Sequence, residues 1–150
     1  MSSRTRLIIA FVISCLSAIV LACFSHTQLV LNELASLGVS VPAEVRARAT
    51  LDDLLGLLPT YGVIITIGLA IAFALTAWLL RKFSLSPRVL YPLAGAVAFA
   101  AMLLLMHPIL EITLIAGARG WSGFMTQCLC GLAAGLCFAF LKESPRTLAQ

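Results

Sequence analysis

Charge is what this sequence has least of. Lys and Arg together number 10 and Asp and Glu 6, only 11% of 150 residues, whereas 61% are hydrophobic. Soluble domains carry about 25% charged and 45–50% apolar residues, so this chain has too little polar surface to meet water on all sides. Its formal charge of +4 sits mostly at the ends of apolar runs and forms no basic stripe, which removes the electrostatic footprint of nucleic-acid binding. No CxxC pair is present, and Cys128 and Cys130 stand two residues apart. On a helix that spacing separates them by roughly 200°, so they neither chelate nor bridge readily. Cys15, Cys128, Cys130 and Cys137 read as small hydrophobes inside apolar runs. A glycine-rich phosphate cradle with its lysine is also missing, and Ser122 and Thr126 have no evident base. Enzymatic chemistry is therefore not the expectation, and no cofactor is identifiable.

What is present is oil in long pieces. Four runs reach the roughly 20 residues that a helix needs to cross a bilayer: about 7–23, 61–80, 91–116 and 121–141. No alternating barrel pattern appears, and helices are the remaining spanning form. The expected fold is an all-α integral membrane protein, a single four-transmembrane-helix bundle with an outer loop at 24–60. Orientation follows from the basic residues. With the N-terminus inside, Arg4, Arg6, Arg81, Lys82, Arg88, Lys142 and Arg146 are cytoplasmic, against Arg46, Arg48 and Arg119 outside. Both termini are thus expected in the cytoplasm, and the membrane is expected to be a bacterial inner (plasma) membrane. "VLAC" at 20–23 raises a competing reading, a cleaved leader that leaves a lipidated Cys23 and three spans.

Within the outer loop, Leu29, Val30, Leu34 and Leu37 recur near helical spacing, consistent with an amphipathic continuation of the first helix over 27–37. Thr50 and Asp53 fit a capping box ahead of a short helix at 51–58, with Pro59 opening the second span. Such a helix is expected on the membrane surface or as a cap on the bundle.

Along the fourth run Gly123, Gln127, Gly131, Gly135 and Ala139 recur every four residues. Small residues so spaced let helix backbones approach closely, and Gln127 on the same face is expected to hydrogen-bond a neighbouring helix. The stripe serves either a contact within the chain or a homo-oligomer seam. Gly68 with Ala72 and Ala94 with Ala98 offer smooth faces on the second and third runs.

The third run is too long for one straight crossing, and Pro108 supplies a reason for a kink or break at His107-Pro108. His107 and Glu111 then lie in the outer half of the membrane, four apart and on one face if helical, with Arg119 in the turn at 117–120 and Trp121 in the interfacial belt. Ionisable groups at membrane depth are costly and usually face protein or water. His107, Glu111 and Arg119 are accordingly the candidate ligand- or proton-binding residues. A Glu111–Arg119 contact that merely fastens the turn, or a metal held with His26, are the other readings. The function expected is a binding or transport subunit, with a non-catalytic accessory subunit of a larger membrane complex as the alternative. Its partners are the bilayer and either further copies or a larger membrane protein.

Overall fold

The computed structural model describes residues 3–110 and 121–142, and these form the helices α1 (Ser3–Ser36), α2 (Ala43–Leu57), α3 (Tyr61–Lys82), α4 (Pro87–Leu110) and α5 (Trp121–Lys142). Four of them, α1, α3, α4 and α5, are long and apolar enough to cross a membrane. Their outward faces are apolar as well. On α3, Val63, Ile67, Ile71 and Leu75 follow one another at four-residue intervals, each more than half exposed. Soluble proteins rarely expose a contiguous apolar patch of this kind, whereas lipid tails cover it at no cost.

The centre of the bundle is α5, which packs most extensively on α4 and next on α1, while α3 closes the ring between α4 and α1. Small residues set these distances. Buried on α1 are Ala10, Ser14, Ala18 and Ala22, again four apart; Ser14 turns its hydroxyl back to the Ala10 carbonyl at 2.8 Å, so nothing polar is left over. Between α4 and α5 the backbones themselves touch. A methyl group added at Gly131 would run into the Gly95 carbonyl oxygen, and one at Gly135 into that of Tyr91. Around this seam lies an aromatic cluster: Phe73 of α3 stacks on Phe138 at 4.5 Å between centroids, and Tyr91 meets both edge-on.

Two boundaries differ from those expected, whereas the first helix continues past the 7–23 run as the spacing of Leu29, Val30, Leu34 and Leu37 predicts, and is unbroken for 34 residues, about 51 Å at 1.5 Å per residue. The hydropathy falls at Ser25 to Gln28, yet helix formation needs only backbone hydrogen bonds and tolerant side chains. The short helix is not 51–58 with a Thr50 cap; it begins at Ala43, behind an extended Pro42, with Glu44 in its first turn. A proline ahead of the first turn and an acid within it are strong start signals, and Thr50 is mid-helix, donating to the Arg46 carbonyl. The third span begins at Pro87, four residues before Tyr91, because proline is well suited to the first helical position.

Of the two placements expected for the short helix, on the membrane surface or against the bundle, α2 takes one in contact with α1. It runs antiparallel to the far end of α1, held by a polar zipper: Thr27 donates to Asp53 (2.8 Å), Gln28 to Thr50 (3.3 Å), and Arg46 donates to both Gln28 and Asn32 at 3.0 Å. As the α1 partner advances from 27 to 32, the α2 partner recedes from 53 to 46, so the two form a helical hairpin. The bundle therefore has a hairpin end and a basic end, the latter where α1 starts and α3 and α5 finish.

Candidate functional site

The residues singled out at the far end of the third span are only partly in view. His107 falls in the last turn of α4 by its backbone, while Glu111 and Arg119 lie outside the described residues. The stripe on α5 is fully in view: Gly123, Gln127, Gly131, Gly135 and Ala139 are all buried, in the single chain, on the face turned to α4 and α1. Its counterpart Gly95 on α4 was not picked out, although "LAGA" around it carries the same small-residue signal.

Gln127 is completely buried, and both ends of its amide are hydrogen-bonded. Its amide nitrogen donates to the Ala22 carbonyl of α1 at 3.0 Å, and its oxygen accepts from the Tyr61 hydroxyl of α3 at 3.2 Å. One side chain thus ties three helices. Nearby, Ser25 and Cys130 approach at 3.5 Å. All five cysteines are free, and Cys23 is buried inside α1. His26 is buried beside the zipper. Among the described residues no three of His, Cys, Asp and Glu converge as metal ligands. Among the described residues every buried side-chain nitrogen and oxygen has a hydrogen-bond partner, so this junction ties helices together.

An open site lies at the other end. Near the hairpin end α1 and α3 touch where Ile19 lies against the bare face of Gly62, in the first turn of α3. Toward the basic end they part, and a cavity of about 1060 Å³ opens between them. One wall is the face of α1 bearing Leu7, Ile8 and Phe11; the other is a run of alanines on α3, Ala70, Ala74 and Ala77, too short to fill the gap. Its floor is aromatic, Phe73, Tyr91 and Phe138, with Phe11 meeting Phe73 edge-on at 6.3 Å.

The rim is cationic. Arg4 and Arg6 come from α1, Arg81 from the last turn of α3 and Lys142 from the last turn of α5. Lys142 is held in place: its ammonium donates to the Tyr91 hydroxyl and lies 4.6 Å from the centre of that ring. The acidic side chains among the described residues, Glu33, Glu44, Asp52 and Asp53, all belong to the hairpin end. Arg81 and Lys142 suit the negative ends of their helices, but Arg4 and Arg6 stand at the positive end of α1, where like charge is unfavourable.

A second cavity, about 790 Å³, is a lipid-facing groove between α3 and α4, with Gly68 under the tip of Met102 and walls such as Ile71, Val97 and Ala101. It holds no charged group. Apolar walls with a few convergent polar groups are what a ligand site offers, and of these two cavities the one between α1 and α3 has both. Comparison with protein-family models, with curated proteins and with solved structures finds no match, so the reading of this site rests on its own geometry.

Proposed function

We propose that the chain is a small multi-pass binding protein of a bacterial inner membrane, with both termini cytoplasmic, whose ligand has an apolar body and reaches the cleft between α1 and α3 sideways from the bilayer. The observation that carries this reading is the cleft itself, an apolar and aromatic chamber with a charged rim. Its volume of about 1060 Å³ lies just above the range of small-molecule sites, ~300–1,000 Å³. The positive-inside distribution of Lys and Arg supports the orientation. Nothing in the rim or walls supplies a nucleophile with a base, which favours binding over catalysis.

Ala74→Phe tests it by filling the gap from the alanine wall. In native mass spectrometry of protein released directly from its own membrane, the wild type is expected to carry a retained small molecule and the variant to lose most of it at unchanged thermal stability. Equal retention by the wild type and Ala74→Phe removes the cleft from consideration. Stoichiometric release with a larger membrane protein and no small molecule would instead make the chain an accessory subunit.

The sequence carries a second reading, in which His107, Glu111 and Arg119 form the ligand or proton site of a transport subunit. Glu111→Gln is expected to abolish proton-coupled uptake in proteoliposomes while leaving assembly intact; full uptake in that variant rejects the transport reading.

A further inference from the structure

We propose that the cleft between α1 and α3 selects a lipid with an anionic phosphate headgroup, seating the phosphate among Arg4, Arg6, Arg81 and Lys142 and the hydrocarbon over Phe11 and the alanine wall. This rests on the reading of the cleft as a ligand site and adds what the ligand is.

Four observations lead there. The cations come from three different helices, one end of α1 and the final turns of α3 and α5, yet meet around one opening. Topology alone requires positive charge on that side of the membrane; it does not require convergence on a cavity. Second, Lys142 is bridled by Tyr91 and Phe138. A lysine serving only as an anchor extends toward water, whereas this one is drawn back over the floor of the cleft. Third, Arg4 and Arg6 lie in the opening turn of α1 with no acid in that turn. A helix N-terminus flanked by two arginines repels further positive charge and is relieved by an anion. Fourth, below the rim the chamber is walled by Leu7, Ile8, Phe11 and alanines, which excludes a free polar anion from the depth while accepting hydrocarbon.

Charge and oil are thus stacked in the order found in one leaflet of a phospholipid. Among the described residues no carboxylate stands at this rim, since Glu33, Glu44, Asp52 and Asp53 belong to the hairpin end. A phosphate is the matching counterpart: it accepts several N–H donors at once, and guanidinium groups bind it in pairs of hydrogen bonds.

The test uses the full chain in nanodiscs of phosphatidylcholine alone, or of phosphatidylcholine with one-fifth phosphatidylglycerol or phosphatidate, followed by native mass spectrometry of retained lipid. One lipid per chain is expected, anionic in most complexes, so that the retained anionic-to-zwitterionic ratio exceeds that of the disc by at least about fivefold, since a cation near an anionic headgroup contributes roughly a factor of five. Two double variants separate the cleft from general charge at that face. Arg81→Gln with Lys142→Gln removes two rim cations and is expected to abolish most of the enrichment. Lys82→Gln with Arg88→Gln removes the same charge from the same end, outside the cleft, and is expected to preserve it. In both, five basic residues remain on that side against three on the other, so the insertion signal is retained. Equal loss in the two doubles overturns the proposal in favour of bulk electrostatics. Equal retention of phosphatidylcholine and anionic lipid overturns the headgroup selection but leaves the cleft reading standing. No retained lipid of either kind overturns both. Displacement of the bound lipid by millimolar inorganic phosphate overturns the requirement for a hydrocarbon tail.

Discussion

Alanine at Gly131 or at Gly135 is expected to destabilise the protein by about 3 kcal/mol or more, the upper part of the range for overpacked sites. Few single methyl groups have so large an effect. At most glycines a new Cβ meets the flexible end of a side chain, which moves aside. Here it meets main chain: the Gly95 oxygen in one case and the Tyr91 oxygen, with the Pro92 Cα at 2.6 Å, in the other. Main chain of a regular helix cannot yield without carrying the whole helix with it, so α4 and α5 must separate along their length and every contact of the seam is diluted. Denaturant titration in mild detergent, followed by tryptophan fluorescence, measures the loss. Gly56→Ala provides the opposite sign. Gly56 lies inside α2 with nothing within 4 Å of the added methyl, and alanine in a helix interior gains about 0.5–1 kcal/mol over glycine. Wild-type stability in both Gly131→Ala and Gly135→Ala would mean that the two backbones do not approach as described.

The second large effect is expected at Gln127. Gln127→Leu removes the acceptor of the Tyr61 hydroxyl and the side-chain donor to the Ala22 carbonyl in one step, in a place where water is not at hand to replace them. Leaving buried polar groups without partners costs about 1–3 kcal/mol; interhelical hydrogen bonds in membranes usually fall lower, near 1 kcal/mol. About 2 kcal/mol is the expected loss, because one side chain serves two neighbours. Tyr61→Phe is expected to lose about half of that. The double variant then separates causes: with Gln127 and the Tyr61 hydroxyl both gone, no orphan remains between α3 and α5, and the combined loss should fall short of the sum. Strict additivity would show that Tyr61 and Gln127 do not depend on one another.

These two sites were legible in the sequence to different degrees. Four apolar runs and a four-residue rhythm of small residues around a glutamine are patterns of one helix, and a single helix displays its own period. What each helix meets is another matter. Gly95 stands in "LAGAVA" and Ala10, Ser14, Ala18 and Ala22 in a run of aliphatics; the fourfold spacing is there on α1 too, but alanine among valines and isoleucines attracts no notice until its burial is seen. Thr50 and Asp53 misled for a related reason. Their spacing satisfies a capping box, yet also places both on the face of α2 that α1 covers, and the tertiary hydrogen bonds decided between the two uses. Hydropathy, in turn, reports where lipid ends and not where a helix ends, so the extension of α1 to Ser36 is legible in the spacing of Leu29, Val30, Leu34 and Leu37 and not in the length of the apolar run. The cleft was least legible. Arg4, Arg6, Arg81 and Lys142 are scattered over nearly the whole chain and, read in one dimension, are simply markers of the inner side. Only the arrangement of three helices brings them around a common opening.

The length of α1 has a practical consequence. At 16.0 kDa the protein offers an electron microscope almost nothing to align once a detergent micelle surrounds it. Yet its longest helix leaves the bundle without a break, and α2 is fastened to that extension by side-chain bonds rather than by a loop. An antibody fragment raised against the outward face of α2, where Leu51 and Leu55 stand beside the Glu44–Arg48 pair, would therefore share one rigid axis with the membrane helices. Such a fragment would act as a fiducial marker whose orientation reports that of the bundle itself.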